Sequence, residues 1–179
     1  MKLIELGAQA TKHKGHFAIV DDEDFEELNQ YRWRANWCEG TKSFRATRDL
    51  PKDAKGKRYS VFMHRHIMNP DSDLQIDHIN HDTLDNRKCN LRIVTVSENA
   101  MNRKKRDDLS SKFKGVHWQR TRKKWRTRIK CKGIYISLGY FTDEIEAAKA
   151  YDIAARKHFG EFALLNFPEE KEDITKQNK

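Results

Sequence analysis

No apolar run in the 179-residue chain approaches the ~20 residues that cross a bilayer. A membrane role is therefore not expected. The first residues, "MKLIELGAQATKHKGH", hold one short apolar piece and no cleavage-like tail, so no signal peptide and no secretion are read there. Cysteine pairs are also missing. Cys38, Cys89 and Cys131 lie far apart and form no C-x-x-C. That argues against a disulfide framework and against a structural zinc site built on thiolates, and makes a reducing cytosol the expected compartment. There is no internal repeat and no low-complexity segment. With 35% charged and 37% hydrophobic residues the chain is polar, yet 4 Trp, 9 Phe and 5 Tyr argue for folded cores rather than disorder. The length allows one medium domain or two small ones.

Positive charge is concentrated. Residues 101–135 hold 14 Lys or Arg and 2 Asp or Glu, a local +12 within a total of +9, which leaves the rest at −3. Such a segment is suited to a polyanion. The plainer alternative is a solvated basic linker.

Along the chain, "FAIV" reads as a strand and "DDEDFEELNQY" as a helix with acids at its start. "RWRANWCEGTKSFRATRDL" alternates around Glu39-Gly40-Thr41, which predicts a hairpin. "RYSVFMHRHIM" is a strand and then a helix ended by Pro70-Asp71. "LQIDHIN" and "NLRIVT" are two short strands, and Ser97 is expected to cap a helix over "SENAMNRKKR". From Ser110 three strands are expected, with turns near Thr121–Lys124 and Lys132-Gly133. A helix over "TDEIEAAKAYDIAARKHFG" follows, with a capping box at Asp143 and Glu146 and a stop at Gly160. Ala147, Ala148, Tyr151, Ala154 and Ala155 fall on one side of that helix and would let it lie close on a sheet. "PEEKEDITKQNK" reads as a polar tail.

The stretch from Gln75 to Asn99 crowds Asp77, His78, His81, Asp82, Asp85, Asn86, Asn90 and Asn99 together. Cutting a phosphodiester needs a base near neutral pH and a cation beside the phosphate. Histidine can be that base, and carboxylate and amide oxygens suit magnesium or manganese. Asp77 and His78 fill two roles if the strand end lets them diverge. Asn99, on the next helix, could complete a metal shell, and Asn90 could hold the loop backbone or the His78 ring. His81 and Asp82 read as a solvated loop. A zinc-protease reading fails because "HINHD" lacks a glutamate beside its first histidine. His64 and Arg65 are balanced between support of this unit and substrate contact.

The set Asp77-His78, Asn90 and Asn99, with "DNRKCNLRIVTVSEN" between, resembles the HNH homing endonucleases of phages and introns. "HFAIVDDEDFEELNQYRW" and "YSVFMHRHIMNP", with its His64-Arg65, resemble that family's N-terminal region. The resemblance implies a ββα-metal finger at about 74–106 inside a nuclease domain of about 1–106. It implies His78 as general base, Asp77 and Asn99 as ligands of one Mg²⁺ or Mn²⁺, and Asn90 as the residue that orients the histidine loop. Asn80-His81-Asp82 departs from the family's more usual Asp-Gly-Asn, which bears on the turn. A phage-encoded chain would work in the host cytosol, and a homodimer on DNA is possible since one finger cuts one strand.

"KWRTRIK" alternates strictly, placing Trp125, Thr127 and Ile129 on one face and Arg126, Arg128 and Lys130 on the other. A basic sheet face can enter a DNA groove, arginine reading guanine and lysine pairing phosphate. "SKFKGVHWQ", "KWRTRIK", "SLGYF", "EIEAAKAYDIAARKHFG" and "LLNFP" strongly resemble the plant APETALA-two/ethylene-response-factor domain, over 112–168. That resemblance implies a DNA-facing set of His117, Gln119, Arg120, Arg126, Arg128, Lys130, Tyr135, Ser137 and Tyr140. Ser137, His117 and Gln119 replace residues usual in that family, so the base preference is not transferable. The expected whole is an α+β chain: a mixed N-terminal unit with the finger, a linker at 107–111 that follows the basic "NRKKR", a three-stranded antiparallel sheet packed on one helix, and a tail at 169–179. The expected function is metal-dependent cutting of double-stranded DNA. The alternatives are a DNA-binding regulator with an inactive finger and, more weakly, an RNA-binding structural protein.

Overall fold

Ile4 and Leu6 alternate with exposed neighbours and form the first strand, β1 (Lys2–Ala8), whose partner is β2 (His16–Val20). The computed structural model describes residues 1–8, 15–104 and 110–168. Most of the expected linker (107–109) and the tail (169–179) lie outside the described residues. The chain divides into two compact units, Met1–Val96 and Ser97–Lys179.

In the first unit β1 and β2 pair antiparallel, from Lys2↔Val20 to Leu6↔His16. Helix α1 (Asp22–Leu28) opens with Asp22, Glu23 and Asp24, which favour the positive end of its dipole. The chain then returns through Trp33, fully buried, whose indole N–H donates to the Leu28 carbonyl at 2.8 Å. Removing that side chain would cost about 3–5 kcal/mol. The hairpin expected around Glu39-Gly40-Thr41 joins β3 (Arg34–Cys38) to β4 (Ser43–Asp49). β3 also pairs in parallel with β1 at Gly7 and Ala8. A short strand, β5 (Ser60–Phe62), completes a five-stranded sheet in the order β2-β1-β3-β4-β5. Ile4, Leu6, Ala18, Val20, Leu28, Trp33, Ala35, Ala46 and Met63 form its core. β1 was not foreseen, because so brief an alternation reads equally well as an isolated apolar piece.

Helix α2 (Met63–Met68) follows β5 directly and stops at Asn69, whose φ of 40° is left-handed. Pro70 follows. Then β6 (Gln75–His78) and β7 (Leu91–Val94) form an antiparallel ribbon, from Gln75↔Val94 to His78↔Leu91. Helix α3 (Val96–Met101) starts one residue before Ser97, so Ser97 lies inside its first turn rather than capping it.

In the second unit β8 (Val116–Gln119), β9 (Lys124–Cys131) and β10 (Ile134–Phe141) form an antiparallel sheet with β9 central. Helix α4 (Glu144–Phe159) is capped by Asp143, which accepts from the Ile145 and Glu146 amides at 2.8 and 2.9 Å. Its small face, Ala147, Ala148, Ala154 and Ala155, is buried together with Tyr151. The fully buried Thr127 hydroxyl donates to the Ala147 carbonyl at 3.1 Å, tying sheet to helix. Gly115 has φ +79°, and a Cβ there would lie 1.9 Å from the Tyr151 ring, so only glycine fits. The fold is α+β, a mixed sheet first and a three-stranded antiparallel sheet on one helix second.

Candidate active site and nucleic-acid interface

His78 is the last residue of β6, and the loop that follows it is closed by Asn90. The Asn90 side-chain oxygen accepts from the Asn80 amide at 2.9 Å, and its amide nitrogen donates to the Asp85 carbonyl at 2.8 Å. The Asn90 carbonyl accepts from the Ile79 amide at 2.9 Å. One buried side chain thus fixes both arms of the loop. Asp85, also buried, accepts from the Arg87 guanidinium at 2.8 and 2.7 Å and from the Asn80 side chain at 3.0 Å. His81 sits at φ +64°, supplying the left-handed turn that glycine would adopt most easily.

The N-terminal sheet is the platform for this loop. Ile19 on β2 donates to the Leu84 carbonyl and accepts from the Asn86 amide, both at 2.8 Å. Asp21 accepts from the Lys88 amide at 2.7 Å, and the Thr83 hydroxyl donates to the Phe44 carbonyl on β4. Reading the sequence missed these anchors. Only the acidic helix start at Asp21–Asp24 hinted at a basic partner such as Lys88, which also pairs with Glu23 and Asp24.

The His78 imidazole is buried, with its ring edge-on to His64 at 5.1 Å. Burial pulls its pKa below the usual histidine value. The neighbouring Asn86 amide works in the opposite sense, Arg45 adds to the fall, and Asp77 and Asp82 oppose it. Asn86 lies beside the ring without a well-formed bond: both His78 Nε2 and Asn86 Oδ1 are buried and lack a hydrogen-bond partner. A neutral imidazole can accept a proton at neutral pH. His64 is driven to about 3, mainly by burial, with His78, Arg45 and Arg65 adding to it. It stays neutral and stacks on Phe62 at 5.3 Å. Arg65 donates to the Leu74 and Asp71 carbonyls at 3.0 and 3.4 Å. Both residues therefore support the ribbon.

Asp77 faces its register partner Arg92, which donates from two nitrogens to one carboxylate oxygen. Asn99 stands at the end of the first turn of α3, a helix divided from the ribbon by the unit boundary at Val96. Among the described residues no group of three or more His, Cys, Asp or Glu could cage a metal. A lone carboxylate is a sparse, hard donor. It suits magnesium or manganese, which keep several waters, and does not suit a closed zinc site.

In the second unit the register brings the residues expected to face DNA into neighbouring rows. His117 pairs with Arg126 and Arg126 with Tyr140; Arg128 pairs with Ser137 and Lys130 with Tyr135. Gln119 pairs with Lys124 at the strand end, and Arg120 lies in the turn beyond. A bulge between Ser137 and Gly139 carries Tyr140 onto the same side as Arg126, where strict alternation would have put Gly139. The cations lie over aromatic rings: Arg128 and Lys130 over Tyr135 at 4.4 and 5.4 Å, and Arg122 over Tyr140 at 4.6 Å. Arg122 was not foreseen; only its place in the basic turn signalled it. Burial, then Arg128 and Arg126, lower the His117 pKa, which keeps that ring neutral on a cationic face.

Residues 61–101 match the model of the HNH endonuclease family. Asp77, His78, Asn90 and Asn99 all fall inside that match, and the resemblance read from them holds. A protein named as an uncharacterized HNH endonuclease, from Acanthamoeba polyphaga mimivirus, is 29% identical over 154 residues, covering 86% of this chain and 76% of that protein. Two Arabidopsis thaliana proteins are similar over the C-terminal part. The AP2/ERF and B3 domain-containing transcription repressor TEM1 is 41% identical over 75 residues, 42% of this chain and 20% of its own length. Dehydration-responsive element-binding protein 2D is 48% identical over 65 residues, 35% of this chain and 31% of its own length. The likeness to these plant proteins thus covers a third or less of each of them. Together the matches support a nuclease segment followed by an AP2/ERF-like DNA-binding segment. Among the described residues no helix is long and apolar enough to cross a membrane.

Proposed function

We propose that the chain is a metal-dependent DNA endonuclease of the HNH homing type, hydrolysing one phosphodiester and nicking one strand per finger. The observation that carries this is the buried, neutral His78 at the end of β6, on a loop closed by Asn90 and inside the segment that matches the HNH endonuclease family. His78 accepts a proton from water as the water oxygen attacks phosphorus. The bond from phosphorus to the 3′ oxygen breaks, and that oxygen takes a proton from solvent. By family likeness the ends are a 5′-phosphate and a 3′-hydroxyl. Asp77 supplies a carboxylate ligand for Mg²⁺ or Mn²⁺, and Asn99 is the amide ligand that the family likeness adds. The bound ion would stabilise charge on the phosphate and the leaving oxygen. Asn90 positions the His78 loop. The cutting unit spans about 1–106 and the reading unit about 112–168, where His117, Gln119, Arg120, Arg126, Arg128, Lys130, Tyr135, Ser137 and Tyr140 face double-stranded DNA. A double-strand break would need two chains on DNA or two turnovers.

A second reading has its own support. Arg92 holds the Asp77 carboxylate as an ion pair, as a finger that no longer takes a metal would. In that case the chain is a sequence-specific DNA-binding regulator. Plasmid nicking with magnesium or manganese separates the two. The endonuclease reading expects nicking that chelator abolishes and that His78→Ala loses while keeping DNA binding. Full nicking by His78→Ala would remove His78 from its role.

A further inference from the structure

Helix α3 is 6 residues long, and none of its residues is buried. Helices shorter than roughly 12–15 residues are marginal in water by themselves. Its last turn carries no basic side chain to meet the carbonyls at its C-terminal end. Support has to come from elsewhere in the chain, and the second unit supplies it. From Ser97 onward the helix belongs to that unit. The Met101 side chain packs against the cluster of Ile129, Tyr151, Ala155 and Phe159. Asn102, the next residue, is buried. The Lys114 Nζ donates to the Met101 carbonyl and so supplies the cation that the helix end lacks.

Lys114 is itself held on both sides. Its amide donates to Asn166 Oδ1 at 2.7 Å, and its carbonyl accepts from Asn166 Nδ2 at 3.2 Å. Asn166 is fixed in turn by Asp152 on α4, whose carboxylate accepts from the Asn166 amide and side chain at 2.8 and 3.0 Å. Gly115 follows, against the Tyr151 ring. The root of the Lys114 side chain is therefore tied to the core of the second unit, and its ammonium to the end of α3. Burial brings the Lys114 pKa down to about 8, with Asp152 opposing, which agrees with an ammonium withdrawn from water where it meets the carbonyl.

We propose that Lys114 is a positioning residue for Asn99: it fixes the C-terminal end of α3 and so sets where the Asn99 side chain stands. Asn99 lies within one turn of Met101, where a helix this short would otherwise fray. Lys114 itself lies outside the 61–101 segment matched to the HNH family, in the AP2/ERF-like part of the chain. A residue of the reading segment thus serves the nuclease segment. The inference rests on the endonuclease reading, in which Asn99 is a metal ligand. Groups that orient a ligand without touching the ion contribute about 10–100-fold to metal affinity.

The test uses the full chain as wild type, Lys114→Met and Lys114→Arg, with thermal melting of each. Manganese binding is followed by loss of the free-ion electron paramagnetic resonance signal, and the site counted is the one that Asp77→Asn abolishes. Lys114→Met keeps the aliphatic stem and removes the donor. It should bind manganese at that site about tenfold more weakly. Lys114→Arg, which keeps a donor, should recover most of the loss. Hydrogen exchange at the Asn99, Ala100 and Met101 amides should quicken in Lys114→Met, with the amides of β9 and α4 unchanged. An affinity for Lys114→Met within about threefold of wild type overturns the inference. Unchanged exchange along α3 does so too, and so does faster exchange throughout β9 and α4, which would make Lys114 a general structural residue. A further measurement does not depend on any variant folding well. Magnesium added to the wild-type chain should shift the Lys114 Nζ resonance, because the ion and the ammonium hold the same helix. A resonance that stays still at saturation overturns the inference. If no bound manganese depends on Asp77, the endonuclease reading fails and takes the metal half of this inference with it. The exchange rates along α3 then decide alone whether Lys114 holds that helix.

Discussion

Arg92 donates to a single oxygen of Asp77 through Nε at 2.9 Å and through a terminal nitrogen at 2.7 Å, with both side chains largely buried. The pair sits directly across the β6–β7 ribbon, where register alone holds the two residues opposite. Arg92→Leu would leave a mostly buried carboxylate without its guanidinium, which costs about 3–5 kcal/mol. A cation on Asp77 would repay part of that, since it binds the folded state alone. Thermal melting with chelator and with manganese should therefore show a larger manganese shift for Arg92→Leu than for wild type. Equal shifts would take Asp77 out of the metal shell.

Asn90→Ala should act on both arms of the histidine loop. It strands the Asn80 amide and the Asp85 carbonyl, at about 1–3 kcal/mol for each buried group left unsatisfied. Urea unfolding should show that loss. The nicking rate should fall further than stability predicts, because the loop carrying His78 loosens while the basic sheet is untouched. Binding measured by fluorescence anisotropy should stay near wild type. Weakened binding in step with nicking would make Asn90 a general structural residue.

The histidines set the response to acid. His64 titrates at about 3 when folded and near 6.5 when unfolded. Below 6.5 the unfolded chain binds a proton that the folded chain refuses, so stability is complete above that pH and drains away as pH falls from 6.5 towards 3. His78, also depressed, acts in the same direction. His64→Phe should keep the ring stack and remove one proton from this linkage. Urea midpoints between pH 4 and 7 should vary less with pH in that variant. An unchanged slope would show that His64 is protonated when folded. For nicking, a depressed His78 places the acid limb below pH 6.5, with little change above it.

Much of this was legible in the residues. The candidate set of Asp77, His78, Asn90 and Asn99 stood out because a solvated loop does not need that combination, and all four fall in the segment that matches the HNH family. The strict alternation of "KWRTRIK" gave away β9, and the Asp143 cap gave away α4. What stayed hidden depends on long-range contact. The Asp21–Lys88 and Ile19–Asn86 bonds join residues more than sixty positions apart, and no local period marks them. The Asp77–Arg92 pair needed the exact ribbon register. The bulge at Leu138 was equally hidden, because it breaks the very alternation by which a strand is read.

Position 81 tests the turn. With φ +64°, a β-branched residue there is strained by about 1–2 kcal/mol, whereas glycine is free. His81→Val should lower the melting temperature and the nicking rate together. His81→Gly should keep nicking near wild type, as expected if the position supplies backbone shape and no metal ligand. Loss of nicking in a well-folded His81→Gly would give the imidazole itself a role.

The proposed DNA-binding face can be tested with salt. Arg126 and Arg128 occupy neighbouring rows of the sheet, Arg126 between His117 and Tyr140, Arg128 beside Ser137 and stacked on Tyr135. The aromatic stacking holds the guanidinium extended along the face, so less side-chain entropy is lost when DNA arrives. Each phosphate contact steepens the fall of log K with log salt by about 0.9. If an arginine meets phosphate, its alanine variant should flatten that slope by about one and weaken binding to all duplexes alike. If it reads a base edge, the slope should hold while preference among sequences relaxes, at about 1–3 kcal/mol for the base concerned. Arg126 carries a buried Nε with no partner and is the better placed of the two to seek one on a base; Arg128, committed to Tyr135, is expected to meet phosphate. Anisotropy titrations at several salt concentrations, on random and selected duplexes, would show it. An Arg126→Ala, Arg128→Ala double variant that binds like wild type at every salt would remove this face from the DNA.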